Sequence, residues 1–323
     1  MTKHPDDDDD DDIVLTSRIP LPNSDNKCAL LITLNRPHKK NCFNTQLCHK
    51  LAQIFQHVAE EVQGYDYNCT TADDEDDDRQ QQDDDDSDES QQQLATVILT
   101  GAGRSFCAGA DLSAPPNPLH QSSDLPHHLQ HNPVHQMTRV GIPIIGALRG
   151  HVITGGFELA LGCDVLLGGT STIFRDTHVK FGLAPCWGLS QKLARRIGPG
   201  RAKIVSLSAC PVRAKKAYEW GLLDELIEEI GESSSSSINN SSDAVLNRAI
   251  ELSDRIASND PLMVRRYKRA IVEGGSMTLH NGLQRERELG ISHYLEVVGD
   301  GATFETAKEF ISDDKRPRAQ SKL

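Results

Sequence analysis

The chain lacks an apolar segment at its start. Met1-Thr2-Lys3-His4-Pro5 runs directly into aspartates, so no secretory signal is expected. It also lacks an uninterrupted hydrophobic run: the most apolar stretch, Gly141–Phe174, is broken by Arg149, Glu158 and Asp164. A membrane span is not expected from it. No CxxC pair occurs among the eight cysteines, Cys28, Cys42, Cys48, Cys69, Cys107, Cys163, Cys186 and Cys210. A chain of 323 residues has enough core to need no disulfide staples, so reduced thiols in an intracellular compartment are expected. Metal-site spacing is missing as well. His120, His127, His128, His131 and His135 lack the fixed intervals and flanking ligands of a zinc site. A polar lid loop is expected there, and no metal. Gly101-Ala102-Gly103-Arg104 is too short for a nucleotide loop and lacks the Walker lysine pattern. Neither nucleic acid nor a membrane is an expected partner.

Acid is abundant, and it is concentrated. The net charge is −13 and the mean hydropathy −0.46, but Asp6–Asp12 supplies seven acids and Asp66–Glu89 thirteen more. Without those twenty acids, Lys3 and Arg79, there remain 27 acids against 32 bases, a formal charge of about +5. The body is therefore mildly basic, which suits a phosphate-bearing ligand. Residues 1–12 read as an acidic disordered N-terminus, and 64–93 as a disordered insertion inside a core spanning 13–230. A helical region follows over 243–312. Residues 313–323 form a polar, basic tail ending in Ser321-Lys322-Leu323, the address read by the peroxisomal import receptor. The peroxisomal matrix is the expected location.

Within the core, Ile13–Thr16 and Cys28–Leu34 read as strands around a Pro/Asn/Asp turn. Leu47, Leu51, Ile54, Phe55 and Val58 set a helical period over Asn44–Val62. Leu94–Thr100, Ile142–Leu148, Val165–Leu167 and Ser171–Arg175 read as strands, and Leu222–Ile230 as strand-like. Gly155–Cys163, Gln191–Ile197, Gly200–Ser208 and Arg213–Trp220 read as helices. Strands and helices alternate first and helices finish the chain, which predicts an α/β core with a helical C-terminal region.

Two small-residue corners stand out. Ser105–Leu112 follows one strand and Gly150–Ala160 follows another, and each is expected to lead into a helix start. Small residues let backbone N–H groups approach a ligand, and helix starts point unpaired N–H groups outward. Two such corners converging on one thioester oxygen would make an oxyanion hole. Each alone is also an ordinary strand-to-helix turn. Glu158 lies three residues beyond Gly155, on the same helical face. An acid suits a helix's first turn, but within Phe157-Glu158-Leu159-Ala160-Leu161 an idle charge is costly. A role in catalysis is therefore favoured.

Three segments, Ile32–Pro37 (ITLNRP), Val97–Leu112 (VILTGAGRSFCAGADL) and Gly155–Asp164 (GGFELALGCD), resemble the crotonase (enoyl-CoA hydratase/isomerase) superfamily in order and spacing. The resemblance covers roughly residues 13–63 and 94–312. The stretch Phe174–Leu193 is similar to the monofunctional peroxisomal branch of plants. The resemblance implies a crotonase-like spiral of ββα units with a C-terminal helical trimerisation region. It implies an acyl-CoA or enoyl-CoA substrate, no cofactor beyond the coenzyme A that the substrate carries, and a homotrimer or homohexamer. It places the backbone N–H groups of Ala110 and Gly155 in the oxyanion hole and makes Glu158 the first catalytic glutamate. It sets His38, Lys39 and Lys40 along the coenzyme, with Ala108, Asp111 and Leu112 also at the substrate.

The position of the second glutamate is held by His178, with Asp176 two residues before it. A histidine there can exchange a proton near neutral pH, or orient substrate. Hydration of an enoyl-CoA in peroxisomal fatty-acid oxidation is the leading expectation. Isomerisation, thioester hydrolysis and decarboxylation on the same scaffold stay open, as does a binding role through the acidic insertion.

Overall fold

The computed structural model describes residues 13–24, 26–68, 92–113, 129–229 and 243–297. The expected acidic N-terminus, most of the insertion, residues 114–128 of the lid with His120, His127 and His128, and the tail with its terminal tripeptide lie outside them. Two compact units divide the chain, Met1–Arg265 and Arg266–Leu323.

In the first unit, β1 (Val14–Pro20) and β2 (Lys27–Leu34) form an antiparallel hairpin with Val14 opposite Leu34. Helix α1 (Thr45–Asn68) buries Leu47, Leu51, Phe55, Val58 and Val62 at helical spacing. It runs past Gly64, where the disordered insertion was expected to begin. Once a helix is nucleated, each added residue gains a hydrogen bond, so it extends into polar sequence.

Strand β3 (Gln93–Gly101) then enters the sheet parallel to β2, and its continuous burial explains why the run has no polar alternation. After the short helix α2 (Pro133–Met137), the chain repeats one pattern twice. Strand β4 (Ile144–Leu148) joins the large sheet, β5 (His151–Ile153) a small one, and helix α3 (Gly155–Ala160) follows. Next, β6 (Val165–Gly169) joins the large sheet, β7 (Ile173–Arg175) the small one, and helix α4 (His178–Phe181) follows. These are ββα units wound in a spiral. Glu158 and His178 sit on equivalent helices of successive turns.

Helices α5 (Leu189–Ile197) and α6 (Pro199–Ser208), strand β8 (Val212–Arg213), helix α7 (Ala214–Glu219) and strand β9 (Glu225–Ile227) complete the spiral. The large sheet has the order β1-β2-β3-β4-β6-β9, and the small one β5-β7-β8. The strand expected over Leu222–Ile230 is shorter. The amides of Leu222 and Leu223 turn back to the Ala217 carbonyl to close α7, so pairing starts only at Glu225.

The large sheet is covered on both faces. Val97, Leu99, Ile144, Leu148 and Leu166 pack with α1 and α3 residues in one core. Ile98, Ile145, Ala147 and Leu167 point the other way, toward Val245, Ala249 and Ala257 of α8 (Ala244–Ala257). Asp243 caps that helix through the Val245 and Leu246 amides.

Helix α9 (Pro261–Gly274) crosses from the first unit into the second, which also contains α10 (Leu279–Val297). Arg269 and Arg285 both bond Glu273 there, at 2.7 and 2.6 Å, while Tyr267, Ile271, Leu279, Leu283 and Leu295 are exposed. Among the described residues no helix is long and apolar enough to cross a membrane.

Candidate active site

Three backbone segments meet around the corner that precedes α3. Cys107 forms a bridge with Val152 of β5: its amide donates to the His151 carbonyl and its carbonyl accepts from Ile153, both at 3.0 Å. Phe43 bridges Ala110 through the Phe43 and Asp111 amides, at 2.9 and 2.8 Å, which leaves the Ala110 N–H outside the bridge. Cys107 and Ala110 are thus held in bridge pairing, with Gly109 between them at φ 96°. The helix start expected after this first corner would lie beyond Ser113, outside the described residues.

Glycines permit the crossing. A Cβ on Gly109 would stand 3.0 Å from the Ile153 carbonyl oxygen and 3.8 Å from the Gly155 nitrogen. On Gly156 it would fall 2.3 Å from the Cys107 carbonyl oxygen, and on Gly155 it would strike the Phe43 ring at 2.3 Å. Gly155 begins α3, so its N–H has no acceptor within the helix. The structure thus brings the two corners together at backbone contact. Thr154, just before them, holds φ 52° and ψ −111°, an uncommon conformation for a β-branched residue.

Glu158 is fully buried on α3. Its Oε1 accepts the Trp187 amide at 2.8 Å and the Leu189 amide at 3.3 Å, from the start of α5. Its Oε2 has no hydrogen-bond partner, and it lies 3.7 Å from His178 Nε2, which has none either. Burial raises the Glu158 carboxyl above its ordinary value, against the opposing pull of the Trp187 amide, His178 and the Leu189 amide. His178 Nδ1 is 2.7 Å from Asp176 Oδ1. Burial alone would raise Asp176, but bonds from the His178 and Ser206 side chains outweigh it and hold the carboxyl low. Two buried polar atoms therefore lie 3.7 Å apart without hydrogen-bond partners. Such orphans are rare unless a ligand completes them.

Phe43, whose ring backs Gly155, stacks on Trp187 with ring centroids 4.9 Å apart. Burial pushes the Cys107 thiol up to about 12 and Cys186 to about 11, which excludes either as a ready thiolate. Among the described residues no group of three or more His, Cys, Asp or Glu is placed to hold a metal ion.

The basic turn is latched to the same corner. Pro37–Lys39 is a single 3-10 turn, ended by Lys40 at φ 52°. Ala108 donates its amide to the Lys40 carbonyl at 3.0 Å, so Ala108 serves to dock the turn. Asn41 bonds the Ala102 and Ser105 carbonyls at 2.9 and 2.6 Å. His38 and Lys40 are exposed beside this junction, and Leu112 is exposed beyond it.

The Asp111 side chain is engaged within the protein. It is buried, and its carboxylate is bound by Arg36 at 3.2 Å and by the Ser113 hydroxyl and amide. That pairing ties the basic turn to the first corner. Burial would raise the Asp111 carboxyl, but the Ser113 and Arg36 bonds hold it below its ordinary value. Its stabilisation is thus complete at neutral pH and is lost as pH falls through the lowered folded-state value. Asp111→Asn is expected to cost roughly 2 kcal/mol at pH 7. Chemical denaturation at several pH values checks this: the gap to wild type closes in acid, and a constant gap would count against the charge as cause.

The chain also matches known proteins. Residues 86–296 match the family model described as enoyl-CoA hydratase/isomerase. The chain belongs to that family. This chain is an enzyme of the hydratase or isomerase class. It is 39% identical over 227 residues to "Probable enoyl-CoA hydratase 1, peroxisomal" of Arabidopsis thaliana, covering 70% of this chain and 79% of that protein. It is 26% identical over 282 residues to 1,2-epoxyphenylacetyl-CoA isomerase of Escherichia coli, covering 86% and 89%. Among solved structures, the enoyl-CoA hydratase of Bacillus anthracis superposes with a TM-score of 0.67 at 26% identity, covering 93% and 96%.

Of the expected residues, Glu158 and His178 meet at 3.7 Å, and Gly155 meets the backbone at Gly109, next to Ala110. Trp187, Leu189, Thr154 and Ser206 also contact this group, without a signal in the sequence. The first two act through backbone amides 29 and 31 residues from Glu158, and nothing in their side chains signals that reach.

Proposed function

We propose that the enzyme hydrates the 2,3-double bond of an enoyl-CoA. The observation that carries this reading is the buried pair of unpartnered atoms, Glu158 Oε2 and His178 Nε2, 3.7 Å apart beside two converging glycine corners. The Ala110 and Gly155 N–H groups take the thioester oxygen and stabilise the enolate. His178, neutral, accepts a proton from water as the oxygen bonds to C3. Glu158, biased toward its protonated form by burial, delivers a proton to C2. The His38–Lys40 turn and Leu112 lie along the coenzyme and acyl chain. Coenzyme A enters as part of the substrate, with no further cofactor.

The test is loss of the enoyl-thioester absorbance of crotonyl-CoA with purified protein, and identification of the product. Formation of 3-hydroxybutyryl-CoA supports the reading; binding without turnover would sink it. A second reading is double-bond isomerisation, since the same pair can move a proton between carbons and one relative is named as an isomerase. Appearance of a shifted double bond selects it, whereas free thiol or carbon dioxide would point to hydrolysis or decarboxylation.

The proposed setting is fatty-acid oxidation in the peroxisomal matrix, supported by the name of the Arabidopsis relative and by Ser321-Lys322-Leu323 as import-receptor ligand. Removing Leu323 is expected to leave a fluorescent fusion, tagged at its N-terminus, in the cytosol, and continued import would refute the address. Assembly as a homotrimer or homohexamer is proposed from the exposed Ile271, Leu283 and Leu295. Sedimentation would read a monomer if this is wrong.

A further inference from the structure

The base of this pair has a carboxylate of its own behind it. Asp176 Oδ1 lies 2.7 Å from His178 Nδ1 and accepts the His178 backbone N–H at 3.0 Å. An ionised carboxylate only accepts, so the ring nitrogen facing it carries the proton. Neutral His178 is then held as the Nδ1–H tautomer, with its Nε2 lone pair on the side of Glu158 Oε2. Asp176 is itself fixed, being 2% exposed and bonded by the side chain of Ser206 on α6. The flanking backbone is clamped to the start of α3. Thr154 donates its amide to the Arg175 carbonyl at 2.9 Å, and Thr177 donates its amide to the Thr154 hydroxyl at 3.2 Å. Asp176, His178 and Glu158 are therefore set on one rigid frame, reaching from β7 and the start of α4 to α3.

We propose that Asp176 is a positioning residue for the acid–base step, imposing the His178 tautomer and stabilising the imidazolium that forms when Nε2 is protonated. This rests on the hydration reading above. In the cycle, Nε2 gains the proton of water as the C3–O bond forms, and Glu158 loses its proton to C2. The imidazolium then returns a proton to the Glu158 carboxylate across the 3.7 Å gap, which restores both groups. Asp176 stays ionised throughout, and the net change is one water added.

A merely structural Asp176 would cap the start of α4 through the His178 amide. Its loss would lower thermal stability and leave the imidazole tautomer alone. Asp176→Asn in the full chain separates the two. The variant can still cap through its side-chain oxygen, but its NH2 can donate to Nδ1, which moves the ring proton to Nε2. The first readout is the tautomer of His178 by nitrogen-15 NMR, assigned by comparison with His178→Gln, and it needs no substrate. Wild type is expected to show Nδ1–H and Asp176→Asn Nε2–H. The second readout is kinetic: kcat on crotonyl-CoA falls on the order of 10²-fold while KM changes by less than about 2-fold.

An unchanged tautomer overturns the positioning role, and so does an inverted tautomer with undiminished kcat. If wild type forms no hydration product, the hydratase reading fails, and the NMR result still decides whether Asp176 sets the ring. Should Asp176→Asn fail to fold, Ser206→Ala frees the carboxylate without touching His178. It is expected to lower kcat about 5-fold at unchanged KM, and an unaltered kcat would overturn the proposal.

Discussion

Glu158→Gln is expected to lower kcat for crotonyl-CoA hydration by about 10³-fold, within the range for loss of one positioned proton-transfer group. The substitution isolates the chemistry because it preserves shape. The amide oxygen of Gln can still accept the Trp187 and Leu189 amides, which now hold Oε1 at 2.8 and 3.3 Å. What disappears is the exchangeable proton at Oε2, the atom 3.7 Å from His178 Nε2. Coenzyme A binding should survive, because the His38–Lys40 turn is latched through Asn41 and Ala108 rather than through Glu158. Stability should hold or rise slightly, since a buried ionisable group is replaced by a neutral one. The measurement is the initial rate at the enoyl-thioester band, paired with a thermal melt. A variant that turns over at the wild-type rate would remove Glu158 from the mechanism. A variant that does not fold would instead assign the carboxylate to holding α5.

Much of this site was legible in the sequence because its parts are local. Glu158 stands three residues beyond Gly155, so one turn of helix joins carboxylate and corner whatever the rest of the chain does. The apolar run Leu94–Leu99 could be read as a strand because β3 is buried on both faces, leaving no polar alternation to confuse it. Segments shorter than their own periodicity were not legible. Strand β5 is three residues long and was absorbed into a glycine-rich corner; α4 is four residues long and too brief to show a helical pattern. The bridges that pin the first corner to Phe43 and Val152 were not legible either, because small residues look alike in a bridge and in an open turn. The same applies to Asp111, whose side-chain partner Arg36 lies 75 residues away.

The crossing of the two corners makes a stability prediction with a catalytic consequence. Gly156→Ala is expected to cost 3 kcal/mol or more, at or beyond the upper end for overpacking, roughly 6–12 °C in Tm. The added Cβ would sit 2.3 Å from the Cys107 carbonyl oxygen and 2.9 Å from its carbonyl carbon. Backbone cannot rotate away as a side-chain tip can. The Cys107 carbonyl is moreover pinned, because it accepts the Ile153 amide and so closes the bridge to β5. Relief must come from moving α3 away from residues 107–110, and that motion separates the Gly155 amide from the Ala110 amide. Melting temperature and kcat should therefore fall together. Gly200→Ala is the control: nothing lies within 4 Å of a Cβ there and no positive φ is required, so the melt should shift little or rise. If Gly156→Ala matched Gly200→Ala in both readouts, the corners would not be in contact, and the proposed pairing of two amides on one thioester oxygen would be wrong.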